Sequence, residues 1–249
     1  MCPHPSVARL VAGARVPRHT RPMEKPTRLI LIGTGAFAQV AYEYFTHDSE
    51  YEVVGFAVDR KYIDESEIFG LPVVAYEELA EHFAPKDHCF FVAITYFGLN
   101  KVRTRLYEQT KALGYRAASY VSPEAFVWKN VDLGEHCFVF EKTVIQPFAS
   151  VGDNVIFWSG CFIGHHSRIG SNCFVAAHSA INGTASVGAF SFLGSNSIIA
   201  NHVNVADNCI ISAGSHVMSD VDENQVVLGT WRKKTLTSTS RLNSEFFLE

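Results

Sequence analysis

From Val121 to Asp222 the sequence reads in sixes. Seventeen hexapeptides follow one another without insertion, from VSPEAF, VWKNVD and LGEHCF to ISAGSH and VMSDVD. The first position is Val, Ile or Leu in sixteen of them and Phe157 in the other, and the fifth is always Ala, Val, Cys, Thr or Ser. A strict period of six is neither the 3.6 of a helix nor the turn spacing of 8 to 12 that marks a sandwich. It specifies a solenoid, in which each flat face centres one branched aliphatic and each corner takes one small residue. Cys137, Cys161, Cys173 and Cys209 all hold the fifth position, so they read as small core residues rather than redox or metal groups. Asn154, Asn172, Asn196 and Asn208 stand at corners, where a tight turn can demand the left-handed backbone that Asn tolerates.

The segment before the repeat has a different grammar. Leu29-Ile30-Leu31-Ile32 is a buried-strand run, followed by Gly33-Thr34-Gly35-Ala36-Phe37-Ala38 and the helix-like VAYEYF. A second strand from Tyr51 to Val58 ends in Asp59; then come PVVAYEELAEHF, the apolar run CFFVAIT and a helical stretch from Lys101 to Leu113. This alternation predicts a small Rossmann-like parallel α/β domain over residues 28–120. Gly33-x-Gly35-x-x-Ala38 follows a strand and opens a helix, with Asp59 about 20 residues after the glycines. Such glycines let the backbone approach a phosphate, and the acid can reach a ribose hydroxyl. Taken alone the pattern suggests a dinucleotide, but the domain has only half the strands of a full dinucleotide fold.

Composition narrows the function. The 249 residues hold 21 Lys+Arg against 25 Asp+Glu, a net charge of −4, so no basic surface is broad enough for a nucleic-acid backbone. No window approaches 18 uninterrupted apolar residues, which argues against a membrane span. Six cysteines without Cys-x-x-Cys pairs fit a reducing cytoplasm better than a disulfide scaffold or a zinc module. Residues 1–27 begin with a stretch bearing Arg9, Arg15, Arg18 and Arg21 and no acid before Glu24. They read as a disordered basic extension, with an upstream start ahead of Met23 or a mitochondrial-type targeting segment as alternatives. Residues 235–249 read as a tail.

The hexapeptide rhythm resembles that of the left-handed parallel β-helix acyltransferases, in which three hexapeptides make a coil of about 18 residues. With GTGAFA and a nucleotide-binding-like domain in front, the chain resembles more narrowly the NeuD/PglD-type sugar acyltransferases over about residues 28–234. The resemblance implies a β-helix domain over 121–234 with five to six coils, and a homotrimer whose active sites lie between neighbouring helices. Phe148, Trp158, Phe162 and Phe190, at non-core hexad positions, agree with covered surface. It also implies transfer of acetyl from acetyl-CoA to the amino group of a nucleotide-linked amino sugar, with the nucleotide held by the N-terminal domain and no metal.

The same resemblance assigns residues. Ile163-Gly164-His165-His166-Ser167-Arg168 matches the stretch whose third-position histidine is the general base, usually followed by an acidic residue. Imidazole, whose ordinary charge change falls between pH 5 and 8, suits that task. His165 is therefore the expected base, with His166 in the place of its acidic neighbour. A plain corner histidine, like His136, His178 and His202, is the structural alternative. Gly183, 18 residues on, stands where the family glycine offers its N–H to the thioester carbonyl and the oxyanion that develops there. Asn201, Ala213 and Gly214 fall on the path of the pantetheine arm, and Lys233, in Gly229-Thr230-Trp231-Arg232-Lys233-Lys234, could meet CoA phosphates. Ordinary corner chemistry and a solvated charge run are their alternatives.

On the acceptor side, Gly33, Gly35 and Asp59 are expected at the nucleotide. Arg103 aligns with a family arginine and is expected either there or on a solvent-facing helix surface. Phe37 and Trp158 replace a histidine and an asparagine common in the family, so the acceptor half of the site is rebuilt while the acyl-donor half is intact. Three other readings stand beside this one: a sialic-acid-type sugar O-acetyltransferase, a non-catalytic nucleotide-sugar-binding trimer, and a hexapeptide carbonic anhydrase. The last would hold a metal through His166 and His202, two coils apart, but lacks a third histidine; Asp207 stands where one would be convenient.

Overall fold

The computed structural model describes residues 27–229. The basic extension, Lys233 with its neighbouring cations, and the C-terminal tail lie outside the described residues. The N-terminal part runs β1 (Thr27–Ile32), α1 (Ala36–Asp48), β2 (Tyr51–Val58), β3 (Glu67–Ile68), β4 (Leu71–Ala75), α2 (Leu79–His82), β5 (His88–Val92), α3 (Lys101–Ala112) and β6 (Arg116–Ala117). Its six strands form one sheet in the order β3-β4-β2-β1-β5-β6, parallel except where β3 meets β4. Leu29 to Ile32 and Phe90 to Val92 are buried, as strands covered on both faces require. Because β1 lies between β2 and β5, the turn that follows it opens at the point where the connections diverge, the usual place for a ligand crevice.

From Tyr120 the chain makes short strands of two residues, each paired in parallel with the strand about one coil later, as in Phe138↔Ile156, Ile145↔Ile163 and Val151↔Ile169. They stack into three sheets of seven, six and five strands, the faces of a triangular prism, which is the left-handed β-helix expected. In chain order the first face runs from Tyr120–Val121 to Val226–Val227, the second from Phe126–Val127 to His216–Val217, and the third from Asp132–Leu133 to Asn204–Val205. The prism core is built from first and fifth hexad positions: Val139, Ile145, Val151, Phe157 and their successors with Cys137, Ala149, Val155 and Cys161. Phe157 is accommodated with no exposed surface, so the single aromatic at a first position is a packing choice. Burial pushes the Cys137, Cys161 and Cys173 thiols up to about 12.

The fourth hexad position carries the corner. From His136 to Gly214 it is left-handed in every hexad, with φ between 56° and 72°. Such a backbone costs an L-residue about 1–2 kcal/mol, less for Asn and His and nothing special for Gly. Asn154, Gly160, Asn172, Asn196, Asn208 and Gly214 meet that demand, and so do His136, His166, His178 and His202.

The three faces differ outside. The third presents Asp132, Ser150, Arg168, Ser186 and Asn204. The second presents Phe126, Val144, Phe162, Ala180 and Ile198, an apolar ladder left partly exposed. The first presents Phe138, Ile156 and Phe174, which are buried under the N-terminal domain together with Phe37, Phe45 and Phe91 in one continuous core.

Arg103 and His136 seal this junction, and both depart from expectation. Arg103, from α3, is fully buried and meets neither a nucleotide site nor solvent. Its Nε donates to Asn154 Oδ1 at 2.9 Å, its Nη1 to Thr95 O and Asn100 Oδ1 at 2.7 and 3.0 Å, and its Nη2 to Asn154 O and Cys173 O at 3.1 and 3.0 Å. All five guanidinium N–H groups are thus used, leaving none for a phosphate. Burial lowers its pKa to about 9, so it stays a cation at neutral pH. His136 is likewise buried rather than exposed. Val92 N–H donates to its Nε2 at 2.8 Å, which places the ring proton on Nδ1, 2.9 Å from Asn154 Oδ1.

Candidate functional site

The expected site residues of the prism fall on the two edges of its second face. At its far edge, where the chain turns toward the third face, four corners stack: Gln146-Pro147-Phe148, Gly164-His165-His166, Asn182-Gly183-Thr184 and Ala200-Asn201-His202. His165 is the one histidine at a third hexad position and is not in the left-handed conformation, so the backbone demand that explains the other corner histidines does not explain it. Its backbone N–H is capped by Gln146 Oε1 at 3.0 Å. Its ring lies over the next coil: a Cβ at Gly183 would come within 2.7 Å of Nε2. Any side chain at 183 would therefore displace the imidazole. Gly164, below, packs so closely under the Gly183 amide that a Cβ there would collide with it.

Among the described residues the Gly183 N–H has no hydrogen-bond partner, which leaves a fixed donor beside a histidine nitrogen. That pairing of a proton acceptor with an amide dipole is what acyl transfer to an amine needs. His166 contacts His165 directly, its Nδ1 3.2 Å from His165 Nδ1, and its ring stacks on Phe148 with centroids 4.7 Å apart. Thr184, β-branched yet left-handed at φ 61°, bonds its hydroxyl to Gly183 O at 2.6 Å and to His202 Nδ1 at 2.5 Å. Gln146, Phe148 and Thr184 had not been singled out for this site. The one-coil offset from His165 and His166 is the signal that finds them. His166 and His202 share this edge two coils apart, with Thr184 between them, and among the described residues no three His, Cys, Asp or Glu side chains group to hold a metal.

At the near edge, between the first and second faces, a groove of about 590 Å³ opens between prism and N-terminal domain. Ala36 and Phe37 from the start of α1, Tyr96 from the loop after β5, and Trp158, Phe192 and Ala213 from the prism form its walls. Trp158 stacks on Phe140 at 4.4 Å and lies 5.9 Å from Phe37, so the two replaced family positions build one aromatic wall. Gly33 has φ 120° and packs against the Ala93 carbonyl, whereas Gly35, preceding α1, has open space where a Cβ would point. Asp59 directly follows β2 and lies outside the groove lining, 3.8 Å from the Arg105 guanidinium. Asn201 belongs to the His165 edge while Ala213 and Gly214 belong to the groove edge, so within one copy they do not follow a single path.

Comparisons with known proteins agree with this architecture. Residues 28–110 match the model of the PglD N-terminal domain, and residues 149–183 match that of the bacterial transferase hexapeptide repeat. No curated protein matches the chain in sequence. Among solved structures, the acetyltransferase domain of PglB from Neisseria gonorrhoeae superposes with a TM-score of 0.74 at 23% identity, covering 82% of this chain and 98% of that one. PerB from Caulobacter crescentus, in complex with CoA and GDP-perosamine, gives 0.73 at 26% identity, covering 82% and 94%. A variant of perosamine N-acetyltransferase from the same organism, with the same ligands, gives 0.74 at 25% identity over the same shares.

Proposed function

We propose that this chain, which matches the NeuD/PglD-type sugar acyltransferases in both of its parts, moves acetyl from acetyl-CoA to the amino group of a nucleotide-linked amino sugar. The general kind of reaction is supported by the solved relatives bound to CoA and GDP-perosamine. The observation that carries the site assignment is the placement of His165 Nε2 over Gly183, whose N–H is free.

In this reading the acceptor nitrogen attacks the thioester carbon and gives up its proton to His165 Nε2. The Gly183 N–H holds the carbonyl oxygen as negative charge gathers on it, and the CoA thiolate departs. The chemistry is direct transfer, since the nearby thiols of Cys161 and Cys173 are buried and held in the protonated form. The nucleotide sits at the Gly33–Gly35 turn, and the sugar lies in the groove walled by Phe37 and Trp158. The sheet has six strands rather than half a dinucleotide fold, so the preference for nucleoside diphosphates over NAD rests on the GDP-perosamine carried by the solved relatives.

The two edges of the second face are brought together by a homotrimer. A three-fold assembly that turns the apolar second face toward its axis buries the Phe126 to Ile198 ladder and sets the His165 edge of one copy beside the groove of the next. Sedimentation then gives three copies of the 27.6 kDa chain, and a monomer at micromolar concentration would break the shared site.

The test is thiol release from acetyl-CoA against a panel of UDP-, dTDP- and GDP-linked amino sugars. Release with at least one amine, lost in His165→Asn, is the expected result. Turnover of hydroxyl acceptors alone would instead make the enzyme an O-acetyltransferase.

A further inference from the structure

The residue directly after His165 is a second histidine, His166. We infer that His166 sets the tautomer of His165: its bare Nδ1 accepts the Nδ1–H of His165 and so leaves Nε2 of the base unprotonated above Gly183. This rests on the reading of His165 as the base and names the residue that prepares it.

A proton must lie between the two Nδ1 atoms, which stand 3.2 Å apart, because two bare nitrogens would repel. If His165 donates, its Nε2 is an acceptor and can take a proton from an amine. If His166 donates, His165 Nδ1 is the acceptor, its Nε2 carries the hydrogen, and the base is in the wrong tautomer. The second arrangement is enforced whenever His166 is protonated, since an imidazolium has a hydrogen on both nitrogens.

Three features hold His166 where it can do this. Its backbone is left-handed at φ 58°, its N–H donates to Pro147 O at 3.2 Å, and its ring is stacked on Phe148. Among the described residues, the corners of this edge directly below and above carry no carboxylate: the one below supplies Gln146, Pro147 and Phe148, and the one above supplies Asn182, Gly183 and Thr184. The charged or titratable neighbours are His165 itself, His202 beyond Thr184, and Arg168 on the following strand. His166 is therefore a positioning residue. It does for the tautomer what a carboxylate would do, but its function can be switched off by acid.

The experiment compares pH profiles of kcat/KM for wild type, His166→Asn, His166→Glu and His166→Phe, with ¹⁵N-histidine NMR of the unliganded protein. In wild type one proton added to the pair already silences the base, and a second would set N–H against N–H, so the acid limb has a slope of about 1. His166→Phe, which keeps the stack on Phe148 but offers no acceptor, loses about 10- to 100-fold on the neutral plateau. His166→Asn accepts through Oδ1 without titrating; it recovers most of that loss and has an acid limb of slope about 1. His166→Glu also recovers it and moves the limb to higher pH.

Ring ¹⁵N couplings report the His165 tautomer without turnover: Nδ1–H in wild type, mixed in His166→Phe. Equal profiles for wild type and His166→Phe, or an Nε2–H tautomer in wild type at neutral pH, would overturn the inference. Full activity in His165→Asn would sink the base assignment instead, so the two failures are distinguishable.

Discussion

Two corner histidines of the same prism have opposite fates. His136 is covered by the N-terminal domain, with Nε2 receiving the Val92 N–H and Nδ1 bonded to Asn154. Burial pushes its pKa down to about 3, so it is a neutral strut. His165 is in contact with its partner histidine through the same nitrogen, Nδ1, but its Nε2 faces open space over a glycine. The difference lies in what covers each corner. His136 stands at a fourth hexad position and His165 at a third, on different edges of the prism, and the docked domain turns the one into structure while the other stays uncovered.

Breaking the free histidine should have the largest effect. His165→Asn lowers kcat about 10²- to 10⁴-fold with CoA affinity nearly unchanged, as read by thiol release and CoA titration. Gly183→Ala comes next. Its methyl would displace the His165 ring without straining a backbone that is not left-handed, so kcat should drop about 10²-fold while the melting temperature barely moves. A larger loss of stability than of rate would show that Gly183 serves the coil rather than the base.

On the covered side the effects are thermodynamic. Arg103→Met removes the donor of five hydrogen bonds and leaves buried acceptors unpaired, so urea unfolding should show a loss of about 3 kcal/mol or more. The smallest expected effect is acid sensitivity. His136 must be neutral when folded, while the unfolded chain takes up its proton near the ordinary histidine value. Its contribution is therefore present above pH 6.5 and shrinks as pH falls toward about 3. Wild type should lose about 2 kcal/mol more between pH 7 and 5 than His136→Gln, which cannot titrate.

Most of the prism was legible before its coordinates. A first-position aliphatic and a fifth-position small residue are local consequences of a six-residue period, so Val139, Ile163 and Cys173 fell where the period put them. The 18-residue offset between His165 and Gly183 is likewise a coil height. Arg103 and His136 were not legible in this way, because their roles come from partners 51, 70 and 44 residues distant across the domain junction. Nothing in LNKVRTRLY separates a buried arginine from a solvated one. The split of Asn201 from Ala213 and Gly214 was missed for a related reason. Residues twelve apart in a six-residue repeat lie on different corners of a triangle, and a linear reading treats them as neighbours.

In the proposed trimer the base and the acceptor groove of one active site come from different copies. Subunit complementation tests it most directly: His165→Asn, which keeps the groove, is co-expressed with Ala177→Trp, which fills it and keeps the base. Each variant alone should be nearly inactive. If the site is shared, random hybrid trimers contain intact junctions and recover about a quarter of wild-type activity. Hybrid trimers no more active than the two parents would contradict the account and return both halves of the site to a single copy.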